Sequence, residues 1–249
     1  MLSKIDKEYY FRIASKDLKM EKAKMPSKLS TIIRTIITTI FILAAIFIPA
    51  GTLQWTEAWL FIILYAVGVT AAIFWMKKNA PDLLKERMKR KKDVKKWDKI
   101  IMVIYSIFLL VILVLPGLDA VRFQWSNIPL IVKVLAFIGY IPGFAIAFWP
   151  MRENAFLSDV VRIQEDRGHT VCTTGPYKYV RHPMYVGVIL IMLCFPFSLG
   201  SLYTLIPAVI IVVLFIIRTA LEDKTLQKEL PGYKEYAQKV RYRLIPGIW

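Results

Sequence analysis

Cysteine is nearly absent: Cys172 and Cys194 are the only two, and neither has a neighbour at Cys-x-x-Cys spacing. That excludes a disulfide framework and a structural zinc site, and no metal is expected. Acidic residues are also scarce, 18 Asp and Glu against 34 Lys and Arg, for a formal net charge of +16. Residues 1–30 are polar and Lys-rich with no apolar core, so no cleavable signal peptide is expected there. No internal repeat or low-complexity tract occurs, and nothing resembles the paired repeats of a transporter.

What is abundant is apolar sequence. Hydrophobic residues make up 57% of the chain and the mean hydropathy is +0.50, which places it among integral membrane proteins. Six apolar runs approach the roughly 20 residues that a helix needs to cross about 30 Å of hydrocarbon. They lie near 31–50, 57–76, 99–116, 128–149, 184–199 and 202–218. The expected fold is therefore all-α, with about six hydrophobic helices. The last two runs are short and closely joined, and predict a tight hairpin.

In a soluble protein so basic a chain would point to nucleic acid, but the distribution of charge excludes that partner. Lys and Arg number nine in residues 1–34, eleven in 77–99, five in 150–182 and seven in 218–249, while the alternate loops hold almost none. The positive-inside rule then puts both termini of a multi-pass protein in the cytoplasm. The membrane would be the plasma membrane in a prokaryote and the endoplasmic reticulum in a eukaryote. Three regions follow: a basic cytoplasmic extension over 1–30, transmembrane helices over 31–127 with a basic cytoplasmic loop at 77–98, and a catalytic membrane region over 128–249. Within the loop, Pro81 opens a short helix in which Leu83, Leu84 and Met88 are candidates for gating a substrate.

Local signals mark the helix ends. Pro49-Ala50-Gly51 closes the first span, and Thr56-Glu57 predicts a capped start for the second. Gly139, Pro142, Gly143 and Pro150 predict a fourth span that is kinked or closely approached by another backbone. Residues 151–183, rich in Arg, Asp, Glu and His, are longer than a simple connection needs.

Chemistry concentrates at the end of that segment. In Gly175 to Gly187, Tyr177, His182 and Tyr185 can face one pocket, with Pro183 in the first turn of the fifth helix beside free backbone N–H groups suited to a ligand carboxylate. Arg218 and Glu222 stand four residues apart at the end of the next apolar run, so both face one side of a helix, near membrane depth where ionisable groups are functional candidates. Glu222 suits an amine, a sulfonium-bearing amino acid or a ribose hydroxyl. Arg218 suits a carboxylate or phosphate, which it can grip with two donors. These two are the candidate catalytic residues.

The run from Gln164 to Gly187, with His169-Thr170-Val171, Gly175-Pro176-Tyr177 and Arg181-His182-Pro183-Met184-Tyr185-Val186-Gly187, resembles the cofactor region of isoprenylcysteine carboxyl methyltransferases and the related phospholipid methyltransferases. Arg218, Glu222, Asp223, Tyr233 to Tyr236 and Arg243-Leu244-Ile245-Pro246 extend the resemblance, which spans about 140–249; Asp223 stands where many members carry a second Glu. It implies S-adenosylmethionine bound on the cytoplasmic side by Gln164, His169, Thr170, Val171, Cys172, Tyr177, His182, Pro183, Met184, Tyr185 and Glu222. It implies Arg218 as the substrate-binding residue for a lipophilic methyl acceptor at the membrane lipid, either a prenylcysteine-type carboxylate or a phospholipid amine. A carboxylate acceptor needs no general base, whereas an amine would draw on His182 or Glu222. The ending Val240 to Trp249 also resembles the membrane sterol reductases, which gives an NADPH-dependent lipid reductase as the alternative.

Overall fold

The computed structural model describes residues 28–89 and 94–249. The basic extension expected over 1–30 lies outside these except for residues 28–30, and so do residues 90–93 of the basic loop. All regular structure among the described residues is helical. It runs α1 (Lys28–Ala50), α2 (Thr56–Asn79), α3 (Pro81–Met88), α4 (Lys96–Pro116) continuing into a π-helical turn (Gly117–Arg122), α5 (Leu130–Glu153), α6 (Pro183–Ser198), α7 (Leu205–Glu229) and α8 (Tyr233–Lys239).

Five of these helices are long and apolar enough to cross a membrane, and α6 is a shorter apolar helix of 16 residues. At 1.5 Å per residue α6 covers about 24 Å, short of the ~30 Å hydrocarbon layer. The expected hairpin forms, with Gly200 at φ +80° in the turn between α6 and α7. Only its first arm is short, because α7 continues past Arg218 to Glu229. Hydropathy ends at Arg218, but Thr219 to Glu229 contains neither Gly nor Pro, so nothing in it stops the helix. At the start of α2, Trp55 holds the N-cap position and makes no side-chain capping bond. Glu57, in the first turn, instead pairs with Lys133 of α5 at 2.7 Å.

Small residues set the closest helix contact. Helix α5 stays helical through Pro142 and Pro150, and α6 lies directly against it. A Cβ on Gly187 of α6 would strike the backbone nitrogen of Ala147 and come within 2.6 Å of the Gly143 carbonyl oxygen. Buried Tyr140 and Ser198 bond across the same pair of helices at 2.8 Å, oxygen to oxygen. Phe61 of α2 packs edge-on against Phe195 of α6 with ring centres 4.8 Å apart. In a bilayer such packing and interhelical hydrogen bonds hold helices together, because burial from water no longer does.

The far end of the bundle is closed by another buried group. Asp119 in the π turn is fully buried and accepts from Ser126 Oγ at 2.8 Å, Ser201 Oγ at 2.5 Å and the Tyr203 amide at 3.3 Å. It ties the end of α4 to the α6–α7 turn, which leaves the opposite end as the place where long polar segments gather.

The backbone contact makes a specific prediction. Gly187→Ala is expected to lower the thermal unfolding temperature of the detergent-purified protein by several degrees. Gly143→Ala meets the Ile191 side chain at 2.8 Å and the Gly187 carbonyl oxygen only at 3.5 Å, and is expected to cost less, because a side chain shifts more readily than a helix backbone.

Candidate functional site

At the end of the bundle away from Asp119, the segments after α5, before α6 and after α7 enclose a cleft. It holds about 750 Å³ of atom-free space, including solvent at its mouth. That is within the usual range of about 300–1,000 Å³ for small-molecule sites. Of the residues expected to hold a cofactor, His169, Thr170, Val171, Cys172, Tyr177, His182, Pro183, Met184, Tyr185 and Glu222 all line it. Gln164 and Arg218 do not line it, and both instead hold neighbouring parts in place.

Gln164 is buried, donates through Nε2 to the Phe156 carbonyl at 2.6 Å and accepts from Arg167 through Oε1 at 2.5 Å. Its side chain thus folds the 154–169 loop back on itself. His169 stacks on Phe156 with ring centres 4.8 Å apart, and its Nδ1 accepts from the Gln164 amide at 3.4 Å. The proton then sits on Nε2. Burial first, and then the Arg162 and Arg167 guanidinium groups, press the His169 pKa down from 6.5 to about 4. The ring is therefore a neutral N–H donor at neutral pH.

Helix α6 begins at Pro183, with His182 as its N-cap residue. Three residues apart, His182 and Tyr185 hold their rings parallel, 5.9 Å between centres. The Tyr185 hydroxyl donates to Glu222 Oε2 at 2.6 Å. Glu222 is half-buried, and Oε1 carries no bond from the described residues, so one carboxylate oxygen remains for a ligand. Arg218 reaches the same tyrosine from behind, with Cζ 5.4 Å from the ring centre. It is buried, bonds to Asp98 of α4 through Nε at 2.8 Å and to the Asp159 carbonyl through Nη2 at 2.9 Å. Asp98 also accepts from the Val161 amide at 2.8 Å, so the Asp98–Arg218 pair pins the cleft's 158–162 edge.

The other wall is held by residues the sequence analysis did not place in the site. Asp223, next to Glu222 and fully buried, accepts from Arg181 Nε at 2.7 Å and Nη2 at 3.0 Å. It also accepts from Tyr233 at 3.0 Å, Gln227 at 2.8 Å and Arg243 at 3.0 Å. Arg181 further donates to the Val240 and Arg241 carbonyls at 2.7 and 2.8 Å. The amides of Arg181 and His182 pair with the Tyr242 and Arg243 carbonyls. Tyr236 donates to the Tyr177 carbonyl at 2.7 Å, and Asn154 to the Tyr177 hydroxyl at 3.1 Å. Burial raises the Tyr177 pKa well above the phenol range, so its hydroxyl stays protonated. The signal for this wall was the density of Arg and Tyr beyond residue 230. Which carboxylate they serve needs the fold.

Two predictions follow. Asp223→Asn leaves Arg181 and Arg243 without their counter-charge and is expected to cost about 3–5 kcal/mol, read as lost thermal stability and as faster proteolysis beyond Glu229. His169 takes its proton near pH 4 in the fold but near 6.5 when unfolded, so the unfolded chain binds more protons between those values. Stability is therefore expected to fall as pH drops from about 6.5 to about 4. His169→Gln should flatten that part of the melting-temperature profile.

Chemically the cleft offers one available carboxylate oxygen, a neutral imidazole N–H, several rings and the apolar side chains of Val171, Leu226 and Leu230. That suits a polar, partly cationic ligand with a flat aromatic part. The first turn of α6, where N–H groups lack intrahelical acceptors, opens onto it through Pro183 and Met184. A search of curated proteins finds no match to the chain. Residues 131–231, from α5 to just past α7, match the family described as phospholipid methyltransferase. That stretch carries the cleft from Asn154 to Leu230, and the match implies a methyltransferase. Over residues 131–231 this membrane protein is thus similar to the phospholipid methyltransferases, a family of membrane methyltransferases.

Proposed function

We propose that the protein transfers a methyl group from S-adenosylmethionine to a lipophilic acceptor, with the cofactor in the cleft and the acceptor reaching it from the bilayer. The supporting observation is the convergence of Tyr177, His182 to Tyr185, the 169–172 strip and Glu222, from three separate chain segments, around one cleft. Among the described residues, the basic side chains of 77–89, 94–99, 150–182 and 218–249 belong to the segments at that end of the bundle, which supports a cytoplasmic orientation for it.

When bound, S-adenosylmethionine supplies a methyl group already activated by its sulfonium. The protein's work is then to align, to exclude water and to balance charge. Glu222, oriented by the Tyr185 hydroxyl, faces the ligand's cationic part with its free oxygen. His169 Nε2–H donates to ligand oxygen, and the first turn of α6 receives a carboxylate. For an amine acceptor, Glu222 is the group able to take the proton that methylation releases.

Arg218 has a different place from the one expected. A substrate anion could reach it only by displacing buried Asp98. Its role in this reading is positional: it holds Tyr185 against Glu222 from behind.

Calorimetry on the detergent-purified protein tests the reading. S-adenosylhomocysteine is expected to bind at micromolar concentration and NADPH not to bind. Binding of NADPH alone would put the lipid-reductase alternative in its place. Glu222→Gln and Tyr185→Phe are each expected to weaken S-adenosylhomocysteine binding tenfold or more, about 1.4 kcal/mol per decade. Unchanged affinity in both variants would remove Glu222 from the cofactor site.

A further inference from the structure

The matched segment ends at residue 231, but the chain that supports the cleft does not. Beyond α8, residues 240–249 pair with the entry to α6. Val240 and Arg241 give their carbonyls to the Arg181 guanidinium. The next two residues give theirs to main-chain amides, Tyr242 to Arg181 at 3.0 Å and Arg243 to His182 at 2.9 Å. His182 lines the cleft and is the N-cap residue of α6, so the Arg243 carbonyl holds the backbone at the edge of the ligand space. The guanidinium of the same arginine donates to Asp223, the neighbour of Glu222, at 3.0 Å. Arg243 therefore braces both sides of the cleft at once.

Two main-chain bonds hold a short irregular segment only weakly. What ties this one down is Trp249. Its main-chain oxygen accepts from three successive amides, Arg243 at 3.0 Å, Leu244 at 3.0 Å and Ile245 at 3.2 Å, and its own amide donates to the Ile245 carbonyl at 3.1 Å. The chain turns back at Gly247, whose φ of +82° is a left-handed conformation that residues with a Cβ rarely adopt. The indole is held as closely as the backbone. The Arg243 guanidinium lies over it, Cζ 4.9 Å from the ring centre, and the half-buried ring packs against the apolar core to which Leu244 belongs. The ring thus restricts the guanidinium that serves Asp223, while the three amides restrict the residue whose carbonyl serves His182.

Resting on the proposed methyl-transfer reading, we infer that Trp249 is a positioning residue for the cofactor. By closing the 243–249 loop it holds Arg243, and through Arg243 it fixes His182 at the start of α6 and Asp223 beside Glu222. Trp249 does not itself line the cleft, so its effect on a ligand passes through these residues.

Calorimetry with S-adenosylhomocysteine and hydrogen exchange at the His182 amide test the assignment on the full chain in detergent. Trp249→Ala removes the ring. Gly247→Ala strains the turn at a place where an added Cβ meets nothing within 4 Å, so the two variants loosen one loop in unrelated ways. Each is expected to raise the Kd about tenfold and to speed exchange at His182. Trp249→Phe keeps a ring for Arg243 and Gly247→Asn tolerates the left-handed turn, so each is expected to recover most of that loss. Should Trp249→Ala not fold, the Gly247 pair carries the test. A lower unfolding temperature with unchanged Kd in the Ala variants makes the loop structural only and overturns the inference. Losses in the Phe and Asn variants as large as in the Ala variants overturn it as well. Failure of the wild type to bind S-adenosylhomocysteine, with exchange at His182 still faster in the Ala variants, overturns the methyl-transfer reading instead and leaves the loop's hold on His182 standing.

Discussion

Two buried aspartate–arginine pairs hold the functional end of the protein together, and both use α7. Asp223 on that helix gathers Arg181, Arg243, Tyr233 and Gln227, and so joins the start of α6 to the last fifteen residues. Five residues earlier, Arg218 engages Asp98 of α4 and the backbone at Asp159. Helix α7 is in effect a two-sided clamp: one charge fixes the C-terminal wall of the cleft, the other its 158–162 edge, and Glu222 lies between them with an oxygen free. Buried ion pairs of this kind contribute little net stability, since desolvation offsets most of the attraction. They specify one arrangement instead, because any other leaves a charge buried alone.

That geometry separates residues that touch a ligand from those that position them. Glu222 and Asp223 are neighbours with the same chemistry, yet one faces the cleft while the other is saturated by protein donors. The same division separates Arg181 from His182. For Glu222 and Asp223 the helical step of about 100° turns adjacent side chains to different partners, whereas Arg181 and His182 lie in the non-helical entry to α6, His182 at φ −127° and ψ 59°. A reading by residue type alone treats them as equivalent.

How much of this was legible in sequence depends on range. Membrane spans, the hairpin and the clustering of His182, Tyr185 and Glu222 rest on local pattern: apolar run length, a proline at a helix start and a four-residue spacing. The helix ends beyond the apolar runs were less legible, as α7 shows, because helix formation continues wherever backbone bonds and propensity allow, not only where residues are greasy. The partners of Arg218 and Asp223 were not legible at all. Asp98 lies 120 residues from Arg218. A lone Asp near the start of an apolar run gives no sign that it neutralises a charge on a helix so distant. Gln164 shows the reverse case: the polar side chain that the family pattern picks out is consumed in folding its own loop.

The bond between Asp98 and Arg218 also bears on how the protein is made. Each is a charge close to an apolar run, and a charge at the centre of a spanning helix costs about 2.5–3.5 kcal/mol on insertion scales. Helix α4 leaves the ribosome long before α7, so Asp98 meets its guanidinium partner only when the last long helix arrives. Only then does the 158–162 edge acquire its bond from Arg218 to the Asp159 carbonyl. The binding end is therefore completed by the final insertion event, and a chain stalled before α7 carries an unanswered carboxylate, a chemical mark by which incomplete copies differ from finished ones.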